Sequence, residues 1–184
     1  MERINTIVML LSMSACGPVA DSSGAPLALP IEGGAGAAAS GVPGPSLVPD
    51  RLVCFRPQLG EREALQVGIL AQQWDQAIPE VTVRVCRDTD PTGIPILPYT
   101  SESIALGSWD GEKIQVDLDR LRAGSTDPMV AVAHEMGHAL GAEHHKQRGC
   151  LMHAVAYPTP PYPLICRETV AHVRGIWAKL GGEP

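Results

Sequence analysis

From Asp50 onward the spacing of apolar residues changes period several times, and each change marks a candidate element. RLVCF, residues 51–55, is a short apolar run that predicts a strand. EREALQVGILAQQWDQAI, residues 61–78, carries Val67, Leu70, Trp74 and Ile78 on one helical stripe, and VTVRVC, from Val81, alternates with the period of two expected of a strand. A strand–helix–strand unit of this kind is almost always a right-handed, parallel crossover. If the two strands are neighbours, Cys54 and Cys86 are placed to bridge them. SESIALGSW (101–109) and EKIQVDLD (112–119) predict two further strands. The second sets Ile114, Val116 and Leu118 on one face and Lys113, Gln115, Asp117 and Asp119 on the other. Gly107 and the Asp110-Gly111 pair suit a hairpin between them. STDPMVAVAHEMGHALG (125–141) then reads as a helix. Asp127 and Pro128 give a start signal, Met129, Val132, Ala133, Met136 and Leu140 form a core stripe, and Gly141 is the stop.

Ahead of Asp50 the pattern is different. MERINTIVMLLSMSAC has Arg3 near its start, an apolar stretch from Ile4 to Met13 and small residues before Cys16, the layout of an export signal too short to be a permanent membrane span. Residues 1–15 are therefore expected to be a signal peptide. Met13-Ser14-Ala15-Cys16 resembles a bacterial lipobox, which implies that Cys16 is the acylated first residue of the mature protein. Residues 16–49 are dominated by Gly, Ala, Pro and Ser and read as a flexible tether, leaving residues 50–184 as the folded domain. The expected location is the bacterial cell envelope, lipid-anchored to a membrane or at the cell surface, with secretion as the alternative.

Composition narrows the picture further. With 184 residues, 45% hydrophobic and 18% charged, the chain suits one domain with a real core. Its net charge of -6 and lack of a basic stripe argue against nucleic acid as a partner. Setting Cys16 aside leaves Cys54, Cys86, Cys150 and Cys166, an even set suited to disulfides in an oxidising compartment. Four cysteines allow three connectivities; Cys54 with Cys86 is the first choice.

AHEMGHALGAEHHKQRGCLMHA, residues 133–154, concentrates five histidines in twenty-two positions. On a helix, His134 and His138 lie one turn apart on the same face, as two ligands of one ion must. Glu135 adjoins the first of them. Gly141 can take the left-handed conformation that ends the helix and turns the chain, which brings His144 within reach as a third ligand. The pattern His134-Glu135-x-x-His138-x-x-Gly141-x-x-His144 resembles the metzincin clan of zinc endopeptidases and is far more specific than the bare H-E-x-x-H. Met152, eight residues after His144, stands where matrixins place the methionine turn beneath the metal.

The resemblance covers roughly Asp50 to Pro184 and implies an α+β, metzincin-like zincin fold. Its parts are a twisted mixed sheet of about five strands with an antiparallel edge strand, an active-site helix, the methionine turn and a C-terminal helix. SESIALGSW would be the edge strand that receives an extended peptide or protein substrate. AYPTPPYPL would wall a specificity pocket. RETVAHVRGIWAKL, with Val170, Val173, Trp177 and Leu180 on one stripe, would be the closing helix. The implied cofactor is Zn2+, held by His134, His138 and His144, with Glu135 as general base for a metal-activated water. Gly141 and Met152 would be structural. A Cys150–Cys166 bridge would stiffen the segment around the methionine turn. His145 and His153 are expected to be exposed or hydrogen-bonded rather than ligands. Calcium is undecided, since Asp88 and Asp90 show no recognised loop spacing. A monomer is expected. The alternative function is a catalytically silent surface lipoprotein that uses the same fold to bind a protein partner.

Overall fold

The computed structural model describes residues 29–30, 51–100, 106–123, 127–156 and 165–180. The residues read as signal peptide and lipidation site, most of those read as tether, residues 101–105 of the expected edge strand and residues 157–164 of the expected pocket wall lie outside them. Among the described residues the architecture is α+β: four helices and a five-stranded mixed sheet, with a separate two-residue pairing.

The sheet is built around β2 (Leu52–Pro57), which lies parallel to both β3 (Thr82–Val85) and β4 (Ile94–Pro98). Next come β6 (Ile114–Val116), parallel to β4, and β5 (Gly107–Trp109), antiparallel to β6 at the edge, so the order is β3-β2-β4-β6-β5. Register lines up one apolar face. Val53 lies opposite Val83, Phe55 opposite Ile94, and Ile96 opposite Ile114, all of them buried. The helix α1 (Glu61–Ala77) covers β2 and β3 on this core, and α3 (Pro128–Ala139) packs against α1, β5 and β6. Of the expected α1 stripe, Val67, Trp74 and Ile78 are buried and Leu70 is half-buried.

β4 did not announce itself in the sequence, because Pro95 and Pro98 argue against a central strand. Register explains how the prolines are tolerated. The Ile96 carbonyl accepts from the Gln58 N–H at 2.8 Å, so even-numbered residues address β2. The Tyr99 N–H donates to the Val116 carbonyl at 3.1 Å, so odd-numbered ones address β6. Pro95 precedes the β6 ladder, which starts at Ile96, and Pro98 follows the β2 ladder, which ends at Ile96. Neither missing N–H is called upon.

EKIQVDLD is only partly strand. Ile114–Val116 pairs as expected, but Leu118–Ala123 forms a short helix, α2. Asp117, expected on the polar outer face, is buried because its carboxylate accepts from the Arg120 N–H at 3.0 Å and starts that helix. The hairpin between β5 and β6 is as read. Gly111 takes φ 98°, and the Asp110 carboxylate accepts from the N–H groups of Glu112 and Lys113.

On the opposite face of β2 the segment 86–93 crosses from β3 to β4. Cys54 and Cys86 are joined there, and the Arg56 guanidinium donates to the carbonyls of Asp88 and Asp90. The Asp90 carboxylate accepts from both the N–H and the hydroxyl of Thr92. Of the acidic groups considered for calcium, one Asp90 carboxylate oxygen is thus engaged within the chain. The remaining pieces are α4 (Arg167–Leu180) and β7 (Val155–Ala156), which pairs antiparallel with β1 (Leu29–Pro30) from the segment read as tether. Among the described residues no helix is long and apolar enough to cross a membrane.

Candidate metal centre

α3 begins as its sequence predicts. The Asp127 carboxylate accepts from the Met129 N–H at 2.9 Å, and Pro128 occupies the first turn, where a missing N–H costs nothing. The helix is buried almost throughout, and two tryptophans hold it. The Trp74 indole N–H donates to the Ala133 carbonyl at 3.2 Å, and the Trp177 indole N–H donates to the Leu140 carbonyl at 2.9 Å. Each indole places its full apolar surface in the core and still satisfies its one polar atom.

The helix ends in a Schellman turn. The Ala142 N–H reaches back to the Gly137 carbonyl at 2.8 Å and the Gly141 N–H to the His138 carbonyl at 2.9 Å, with Gly141 at φ 96°. That left-handed conformation is why position 141 favours glycine. The turn has a second effect. It presents the Ala142 carbonyl to Nδ1 of His138 at 2.8 Å. His134 is treated alike, its Nδ1 lying 2.7 Å from the Leu151 carbonyl.

These two contacts fix the ring tautomers. A carbonyl oxygen only accepts, so Nδ1 of His134 and of His138 must carry the proton, and in each neutral ring Nε2 is left with a lone pair. The three Nε2 atoms converge: 3.1 Å between His134 and His138, and 3.2 Å from His144 to each of them. Two lone pairs at such a distance repel unless they share a cation. One proton can serve one pair, whereas a metal ion serves all three. Metal–nitrogen bonds of ~2.0–2.1 Å in a tetrahedron set their nitrogens about 3.3 Å apart, close to the spacing found. The rings also turn edge-on to one another around the common point, with interplanar angles of 78° and 76° for two of the three pairs. His134 is buried, His138 half-buried and His144 exposed, so the group can hold a metal ion and opens on one side to solvent.

The floor is formed by the segment 150–153. The His145 N–H donates to the Met152 carbonyl at 2.7 Å, and His145 pairs with His153 in a parallel bridge, which ties the loop carrying His144 to the turn carrying Met152. Met152 is fully buried beneath α3. Its neighbour there is Gly137, where a Cβ would clash with Met152 Sδ and come within 2.9 Å of Trp74 Cζ2. Cys150 and Cys166 are joined, which fastens this turn to the start of α4. His145 and His153 lie outside the three-histidine group, and Nδ1 of His145 accepts from the Gln147 N–H at 3.2 Å.

Glu135 is fully buried on α3. It lies beside the edge strand, where a Cβ on Gly107 would stand 2.9 Å from its Oε1 and 3.1 Å from its Cγ. Sequence reasoning singled out the three imidazoles that the structure brings together, but not the groups that orient them. The carbonyls of Leu151 and Ala142 belong to the main chain and leave no trace in residue identity. Gly107 and Gly137 were visible only as glycines, Gly107 as a turn residue and Gly137 as an unfixed position of the motif. No protein-family model matches the chain, and no curated protein matches it.

Proposed function

We propose that this chain is a zinc-dependent endopeptidase with a metzincin-like catalytic domain. One observation carries the reading: three imidazole Nε2 atoms 3.1–3.2 Å apart, two of them in rings whose Nδ1 protons are committed to main-chain carbonyls. Three neutral nitrogen donors with one open side suit zinc in its hydrolytic role. The element order, the antiparallel edge strand and the buried methionine below the histidines support the clan resemblance.

His134, His138 and His144 would hold the ion, which when bound supplies Lewis acidity and brings the ionisation of water toward neutral pH. The carbonyls of Leu151 and Ala142 keep two of the rings in the donor tautomer throughout. Glu135 takes the proton of the attacking water on a carboxylate oxygen and returns it to the departing amine. β5 is the last strand of the sheet, and among the described residues no strand covers its outer side, so an extended peptide can add there by main-chain hydrogen bonds. Attachment to the envelope through acylated Cys16 belongs to the same proposal and rests on the run Met13-Ser14-Ala15-Cys16.

The test is metal analysis of the purified chain together with cleavage of casein or a peptide library, with and without a chelator. About one zinc per chain is expected, and Glu135→Ala should retain the metal while losing ~100-fold or more in kcat/KM. Equal cleavage by mutant and wild type removes Glu135 as the base. Metal-loaded protein that cleaves nothing across the library supports a binding module instead.

A further inference from the structure

Beside the three histidines lies a second group of donors that peptide hydrolysis does not use. The sulfurs of Cys150 and Cys166 and a ring nitrogen of His145 all lie within 4.8 Å of one another. The sulfurs are joined as a disulfide. The group ties three parts of the chain together: His145 follows the ligand residue His144, Cys150 opens the turn that carries Met152, and Cys166 directly precedes α4.

Its surroundings favour negative charge on sulfur. The hydroxyl of Thr169, a buried residue, stands 3.2 Å from Cys166 Sγ and 3.4 Å from Cys150 Sγ, and only the hydroxyl can donate to a disulfide. The Cys166 carbonyl accepts from the Val170 N–H at 3.0 Å, so Cys166 caps the first turn of a 14-residue helix, whose positive end faces it. Such an environment stabilises a thiolate as it leaves a disulfide and makes the bridge easier to open. Cys166 is half-buried and within reach of a reductant, whereas Cys150 is buried.

We propose that reduction of the Cys150–Cys166 bridge creates a second metal site, in which the two thiolates and the His145 imidazole bind a thiophilic divalent cation such as zinc. The reductant is a dithiol. One of its thiolates attacks Cys166 Sγ, the S–S bond breaks and Cys150 leaves as thiolate. The second thiol then closes the reductant's own disulfide and frees Cys166. Two electrons pass to the protein, and two cysteine thiols replace one disulfide. Cation binding then displaces the two thiol protons. Two sulfurs and one imidazole nitrogen are a donor set that zinc accepts, with a fourth position for water. With the bridge closed the sulfurs are poor ligands, so the site exists only under reducing conditions. Filling it would pull on His145, whose N–H donates to the Met152 carbonyl beneath the first site.

Co2+ added to the full-length chain tests this, because thiolate-to-cobalt charge transfer absorbs where an all-nitrogen site does not. The dithiol-reduced chain should show this band; the oxidised chain, in which Co2+ at the three histidines can give only d–d bands, should lack it. His145→Ala should weaken the response at least ~10-fold, and Cys166→Ser should leave no more of it than Cys54 and Cys86 supply on their own. Other freed thiols are common to the wild type and both variants. A reduced chain without the band, or a band of equal strength and affinity in both variants, overturns the proposal. Should Cys166→Ser fail to fold, mass mapping of iodoacetamide labelling decides. Zn2+ should slow the alkylation of Cys150 and Cys166 in the reduced wild type and not in His145→Ala, and equal protection in both refutes the site. The readout is sulfur chemistry, so a chain that cleaves no peptide but shows the band removes the peptidase reading and leaves this one standing.

Discussion

Gly137→Ala offers a sharp test of how the turn carrying Met152 supports the three-histidine group. A helix-interior glycine normally gains ~0.5–1 kcal/mol on replacement by alanine, through reduced freedom of the unfolded chain and better helix propensity. At position 137 the added Cβ has no room. It would meet Met152 Sδ, lie 3.1 Å from Met152 Cε and 2.9 Å from Trp74 Cζ2, against an ordinary carbon–carbon contact of ~3.5–4.0 Å. The indole cannot retreat cheaply, because its N–H donates to the Ala133 carbonyl on the same helix. Overpacking of this kind costs ~1–3 kcal/mol; the Met152 thioether can shift but the hydrogen-bonded indole cannot, so a cost of about 2–2.5 kcal/mol is expected. Subtracting the propensity gain leaves a net destabilisation of about 1–2 kcal/mol. Gly68→Ala on α1 is the internal control, since a Cβ there meets nothing within 4 Å and the full gain should appear. Urea unfolding of the two variants beside the wild type gives both numbers. The clash with Met152 also predicts coupling: in a Met152→Ala background, Gly137→Ala should lose ~1 kcal/mol or more of its cost. If Gly137→Ala stabilises the chain as much as Gly68→Ala, or its cost is unchanged by Met152→Ala, then Met152 does not pack beneath the histidine helix as described.

Further outcomes follow from the same contacts. If the chain hydrolyses peptides as proposed, Gly107→Ala should leave metal content unchanged and lower kcat by about 10- to 100-fold, because the new Cβ displaces the Glu135 carboxylate; steady-state kinetics with metal analysis checks it. Asp127→Ala should cost ~1 kcal/mol in urea unfolding through loss of the helix cap, and Asp127→Asn should recover most of it. For Glu80, burial raises the carboxyl's pKa, but the Arg174 hydrogen bond at 2.6 Å, its backbone contact and nearby positive charge outweigh this and hold it below the usual glutamate range. A group depressed on folding stabilises the native state above its unfolded value and loses that contribution as pH falls through the folded value. The stability gap between wild type and Glu80→Gln should therefore be full near neutral pH and shrink as pH falls through and below the ordinary glutamate range; a gap that widens on acidification contradicts the assignment.

What could be read from the sequence was local or periodic. The cap at Asp127, the i, i+4 pair of histidines and the stop at Gly141 are properties of one short segment, and α3 follows them closely. The Cys54–Cys86 bridge followed from placing β2 beside β3, which the strand–helix–strand pattern already implied. The errors arose where a local signal met a non-local context. Prolines hid β4 because their tolerance depends on where two neighbouring ladders begin and end, which no single strand encodes. Asp117 looked like the polar side of a strand because its partner, the Arg120 N–H, exists only once the chain turns into α2.

The centre itself combines both kinds of information. Spacing on a helix places His134 and His138 on one face, but it does not determine which nitrogen of each ring points inward, and the wrong tautomer would direct an N–H at the point where a metal ion could bind. That choice is made by two main-chain oxygens. Ala142 supplies one because the Schellman turn swings its carbonyl back over His138, and Leu151 supplies the other because the turn bearing Met152 runs beneath His134. Any side chain at 142 or 151 that preserved the backbone would donate the same carbonyl. The motif residues are therefore necessary but incomplete. Moving the turn at 150–153, without touching a histidine, should disorder the donor set, because the proton on His134 Nδ1 would then lose the acceptor that keeps Nε2 bare.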